Sequence, residues 1–96
     1  MSEILLRADE ARDLAGEMSQ AASDATDRFE SMRGRLNGLS DSFRGQAANA
    51  FDGRYEEWDQ GARQVVEALN GLSEWLNQAA ETIEGVDSDL AGGLSG

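Results

Sequence analysis

Residues 51–76 read FDGRYEEWDQGARQVVEALNGLSEWL, and their apolar positions return every three or four residues. Phe51, Trp58, Val65 and Leu72 form one ladder and Tyr55, Ala62, Leu69 and Leu76 a second; Ala79, Val86, Ile83 and Leu90 continue them. Alternating three- and four-residue spacing collects these side chains on one stripe of an α-helix, the pattern of a coiled-coil seam. Upstream the same pattern runs through Ile4, Ala11, Met18, Ala25, Met32 and Leu39, interleaved with Ala8, Ala15, Ala22, Phe29, Leu36 and Phe43. Only Phe43-Arg44-Gly45 interrupts the two arms. Two long amphipathic helices with a tight reversal between them predict an all-α fold, an antiparallel helix-turn-helix hairpin.

The 96 residues fit a single small domain. Helix one is expected over about residues 3–39, opened by Ser2 and Glu3 and supported by the pairs Glu3–Arg7 and Asp24–Arg28. A turn at 40–46 follows, then helix two over about 47–84 with Gly85 as its C-cap. The hairpin thus occupies residues 1–85. Residues 86–96, rich in glycine, serine and aspartate, read as a flexible tail.

Residue size along the stripe predicts the packing. Ala8, Ala15 and Ala22 oppose Leu69, Leu72, Leu76 and Ile83, small against large, so the helices interdigitate. Near the turn Phe29, Met32, Leu36 and Phe43 meet Phe51, Tyr55 and Trp58, expected to be the best-buried part of the monomer. Phe29, Met32, Leu36, Tyr55, Trp58, Val65, Leu69, Leu72 and Leu76 are the expected hairpin or dimer core.

Such a hairpin buries one stripe per helix, which leaves a small scaffold short of stability. The chain has no cysteine for a disulfide, and without cysteine or histidine a zinc clasp is not expected. Association is the remaining source. Leu14, Val66 and Trp75 lie outside the stripe and broaden the apolar face, as a helix with two neighbours requires. They are the expected partner face, and dimerisation into a four-helix bundle the expected assembly.

Formal net charge is −11. Residues 1–63 carry 13 acids and 8 arginines, while residues 64–96 carry 6 acids and no base, so the acidity concentrates on the distal half of helix two. That balance disfavours nucleic acid and gives no basic face for anionic membranes, so neither is an expected partner. It is the ordinary composition of a solvated face, and it also suits an acidic helix end lying against a basic stripe, either Arg7 and Arg12 of the first arm or a partner's. No histidine titrates near neutrality, there is no thiol nucleophile and no phosphate-binding glycine loop, so no enzyme, metal or cofactor is expected. The N-terminal decapeptide has no basic start followed by an apolar core, and no apolar run has the length of a membrane span.

The segment Phe43-Arg44-Gly45 followed by Ala47, Ala48 and Phe51 resembles the central motif of the WXG-motif family of small, early-secreted-antigen-like proteins. That family carries W-x-G between two helices; here Phe43 stands in place of the tryptophan, Gly45 is kept, and Trp58 falls where members often have an aromatic. The resemblance extends over the whole chain. It implies export by a type VII (ESX) secretion system as a folded dimer, with itself or with a homologous hairpin, made in the bacterial cytoplasm and secreted without a cleavable signal peptide. It implies the secretion ATPase as a partner during export and a binding role, as co-secreted partner, adaptor or virulence-type factor, without catalysis. Some members carry a Y-x-x-x-D/E export motif after helix two. Tyr55 and Asp59 match its letters, but Tyr55 sits on the ladder and reads as a core residue. The segment beyond Gly85 has no tyrosine, a departure that points to a partner carrying the address; Val86 and Leu90 are the candidate export element on this chain, a degenerate docking element for the secretion ATPase. The rival readings are a cytoplasmic coiled-coil adaptor that is never secreted and a membrane-active effector.

Overall fold

The computed structural model describes the backbone of residues 3–95 and the side chains of residues 7–85. Two α-helices, α1 (Glu3–Ser40) and α2 (Gln46–Ser95), pack against each other along an antiparallel hairpin 76 × 17 × 15 Å. The length is that of one continuous helix of 50 residues, at about 1.5 Å per residue. With no proline in the chain nothing breaks either ladder.

The reversal is made by few bonds. The amides of Ser42 and Phe43 donate to the carbonyls of Leu39 and Ser40, closing α1 with tightened turns. The Asn49 amide donates to the Gly45 carbonyl and starts α2. Gly45 has φ +62°, the only positive value among the described residues. A side chain there would crowd its own backbone, which is why a glycine occupies this position.

On α1 the ladder Ala8, Ala15, Ala22, Phe29, Leu36 faces α2, as its spacing predicts, and Phe43 follows it in the connection between the helices. On α2 the facing ladder is Tyr55, Ala62, Leu69, Leu76, Ile83. The buried hydrophobic residues, each no more than 5% exposed, are Ala8, Ala15, Ala22, Ala62 and Ala80. Ser73 is buried with them, its hydroxyl donating to the Ala15 carbonyl at 2.8 Å.

Four expectations need correction. Val65 and Leu72 do not pack in the hairpin seam, and Met32 is exposed as well. The residues that flank the α2 seam toward α1 are instead Asp59, Val66, Ser73 and Ala80, one position further along. Two straight helices touch along one line, so only one flank of each stripe can be drawn in. The flank chosen is the one where Ser73 and Ala80 let the backbones approach and where Arg33–Asp59 and Arg12–Glu84 pair across the hairpin. Second, the aromatic end is ring-packed yet half-buried; the tightest packing belongs to the alanine half. Third, α2 continues to Ser95, beyond Gly85, which does not cap it. A single glycine costs about 1 kcal/mol in a helix, too little to stop one. Fourth, Asp24 accepts a bond from Gln20 at 3.0 Å, and it does not pair with Arg28. Ser2, Glu3, Ile4, Leu5, Val86 and Leu90 lie outside the residues whose side chains are described.

Candidate functional site

Among the described residues the large hydrophobic side chains left in solvent are Leu14, Met32, Leu39, Val65, Leu72 and Trp75, between 44% and 61% exposed. Their positions fall on one side of the hairpin. Met32 and Leu39 continue the ladder Ala11, Met18, Ala25 on α1; Val65 and Leu72 continue Phe51, Trp58 and run on to Ala79 on α2. Leu14 and Trp75 stand one step further out on the same side. The face is therefore a long apolar trough between the two helices, bounded by outer ladders.

An open groove of about 620 Å³ occupies the turn end of this trough, lined by Met32, Arg35, Leu36, Leu39, Phe51, Arg54, Tyr55 and Trp58. Phe51, Tyr55 and Trp58 of its lining belong to a longer chain of rings. Phe43 stacks on Phe51 with centroids 5.0 Å apart, Phe51 on Tyr55 at 6.2 Å, and Tyr55 leans on Trp58 at 6.0 Å. Trp58 meets Phe29 edge to face at 5.9 Å. Offset and T-shaped pairs of this kind fix ring orientation as well as bury area. The two aromatics that flank the Gly45 reversal are thus in direct contact, one from each side of the turn.

The opposite side of the hairpin has different chemistry. Asp59 accepts from Arg33 across the interface and from Arg63 on its own helix at 2.9 Å. Hydrogen bonds from Arg63 and then Arg33 hold the Asp59 carboxyl below its ordinary value, and Arg12 does the same for Glu84. The Arg33 guanidinium also lies 5.7 Å from the centroid of the Trp58 ring. A smaller, polar groove of about 270 Å³ runs beside these groups, between Thr26, Arg33, Arg63 and Val66.

The expected site residues divide accordingly. Phe43, Gly45 and Phe51 come together at the turn. Phe29, Leu36, Tyr55, Leu69 and Leu76 are half-buried between the helices, and Trp58 bridges seam and trough. Met32, Val65 and Leu72 belong to the trough, beside Leu14 and Trp75. Val66 does not join them; it lines the smaller groove on the polar side, with Thr26, Arg33 and Arg63. Tyr55 and Asp59, whose letters match an export motif, are both committed to contacts within the hairpin. Sequence reasoning missed the arginines that border the trough, although Arg28 and Arg35 lie seven residues apart on one ladder with Arg7, Leu14 and Ala21, and that spacing was there to be read.

The geometry offers an elongated apolar surface and a ring-packed aromatic end. No helix of the described residues is long and apolar enough to cross a membrane. A family model described as WXG100, proteins of 100 residues with WXG, matches residues 4–88. No curated protein and no solved structure matches the chain.

Proposed function

The chain belongs to the WXG100 family, and on that premise we propose that it is exported as a folded dimer by a type VII secretion system and acts by binding. WXG100 proteins are small type VII-secreted helical proteins that typically dimerise with homologous partners. In this chain the trough is the dimer interface, Phe43 takes the place of the motif tryptophan, and the product of assembly is a four-helix bundle.

One observation carries the reading: the six exposed large hydrophobics share one side of the hairpin. Scattered apolar side chains are normal on a surface, whereas a continuous stripe marks a face that another protein covers. Two hairpins laid trough to trough direct the Met32 and Leu72 ladders at a common axis, the arrangement of a bundle core. Helix α2 beyond Gly85, with Val86 and Leu90, serves as the element offered to the secretion ATPase, alone or beside a partner's signal. The secreted pair works as co-secreted partner, adaptor or virulence-type factor and has no catalytic step.

Export is tested by following the untagged protein in its native host with and without an inactivated secretion ATPase. Accumulation in the medium that disappears with the ATPase supports the reading. Protein confined to the cell under both conditions supports the cytoplasmic adaptor instead.

A further inference from the structure

The rims of the trough change character along its length. In the register fixed by the Ser73–Ala15 bond, Leu14 and Trp75 stand across from each other on the outer ladders, toward the open end of the hairpin. Nearer the turn the same ladders bring Arg35 and Arg54 across from each other, and both line the groove of about 620 Å³. Among the described residues this is the only level at which both outer ladders carry a guanidinium. Neither is held tightly. Arg54 reaches Glu57 at 3.3 Å in an exposed pair of little strength. Arg35 has no carboxylate within 4 Å among the described residues. Between the two lie Met32, Leu36 and Leu39 from α1 and the rings of Phe51, Tyr55 and Trp58 from α2. The volume falls within the range of about 300–1,000 Å³ of small-molecule sites, and an apolar lining with a few convergent polar groups is their usual make-up.

We propose that this groove binds a free fatty acid, its carboxylate held between Arg35 and Arg54 and its chain laid along the rings. Three observations choose this occupant. A guanidinium fork matches the two oxygens of a carboxylate, and here one fork stands on each helix. The apolar surface runs on past the arginines to Val65 and Leu72, which suits one charged head on a long apolar body better than a compact anion. A bilayer would bring many anionic heads against a chain of −11, which repels it, whereas a single free acid meets only the two arginines. Met32 and the leucines adapt to the shape of a flexible chain, and the stacked rings give it a flat apolar surface. The proposal stands apart from export and assembly; where a second hairpin covers the trough, the acid competes with it for Met32 and Leu36.

In the full chain carrying Trp75→Phe, Trp58 is the sole tryptophan and its emission reports on the groove. Decanoate, kept below its micelle concentration at neutral pH, is titrated beside decanol, which has the same chain without the charge. Decanoate should shift the Trp58 emission saturably and bind about tenfold more tightly than decanol. Adding R35Q/R54Q should bring decanoate down to the affinity of decanol. Equal binding of the two in the parent, or a preference for decanoate that survives R35Q/R54Q, overturns the seat of the carboxylate. No saturable response, in Trp75→Phe and again with Leu72→Glu added to clear the trough of a second hairpin, overturns the groove itself. A response to phosphatidylglycerol vesicles in place of free decanoate would make the ligand a membrane surface and overturn the proposal. Light scattering on the same samples reports the assembly separately, so a failed titration leaves the dimer reading untouched.

Discussion

The Ser73 hydroxyl donates to the Ala15 carbonyl at 2.8 Å, joining the two helices at residues 58 apart in sequence. Both helices are lined here by small groups, and the bond fixes which flank of α2 turns inward. Replacing Ser73 with alanine should cost about 0.5–1.5 kcal/mol, the loss of one bond. Leucine at the same place should cost more, about 1–3 kcal/mol, because it forces the backbones apart. Urea unfolding of the two variants checks the order; a stabilising S73L would show that the helices do not meet there.

Trp58 bridges the seam and the trough, touched by Phe29, Tyr55 and Arg33. Because the ring is half-buried in one hairpin, Trp58→Ala should cost about 2–3 kcal/mol in the isolated chain, below the 3–5 kcal/mol of a fully buried tryptophan. Chemical denaturation measures this directly. Unchanged stability would place the ring in solvent.

Acid should uncover the paired carboxylates. Asp59 is held below its ordinary value by Arg63 and Arg33, and Glu84 by Arg12, whereas the unfolded chain offers neither partner. A lowered folded-state pKa stabilises fully above the unfolded value and is lost as pH falls through the folded one. Wild type should therefore melt above Asp59→Asn at pH 7, with the gap steady down to about pH 4 and closing below it. Thermal scans from pH 7 to 2 test this. A gap that survives undiminished to pH 2 would remove the charge of Asp59 from the explanation.

Gly45 and Gly34 separate backbone shape from space. An added Cβ meets nothing within 4 Å at either glycine, but only Gly45 has a positive φ. Gly45→Val should lose about 1–2 kcal/mol or more to the left-handed backbone. Gly34→Val, inside a helix, should change stability by a few tenths in either direction. Equal losses would mean that the reversal does not depend on Gly45.

The hairpin and its central ladders were legible in the sequence because a heptad repeat specifies a stripe without reference to any partner. The width of that stripe was not. At 65 and 66, 72 and 73, and 79 and 80, neighbouring residues compete for the inward flank; the first and last pairs are identical residues, Val-Val and Ala-Ala, and at 72 and 73 size favours Leu72. Close approach of the two backbones reverses that preference: Ser73 and Ala80 go inside, and the larger residues form the outer trough. Met32 follows the same logic on α1. Gly85 misled for a related reason, since a glycine ends a helix only where another conformation is more favourable. The trough was half visible: Leu14 and Trp75 stood out as off-stripe residues, while Val66 was assigned to the wrong side because the direction of the roll depends on Ser73 and the two cross-hairpin ion pairs.

The trough accounts for the function proposed for this chain, and the mass of the native assembly tests it most directly. The untagged protein, purified from its own host under mild conditions and measured by light scattering, should travel as a two-hairpin particle of about twice its own 10.3 kDa. The same preparation carrying Leu72→Glu should fall to the mass of one chain. A wild-type particle of single-chain mass at micromolar concentration would mean that Leu72 and Trp75 face water in life, and the interface would have to be abandoned.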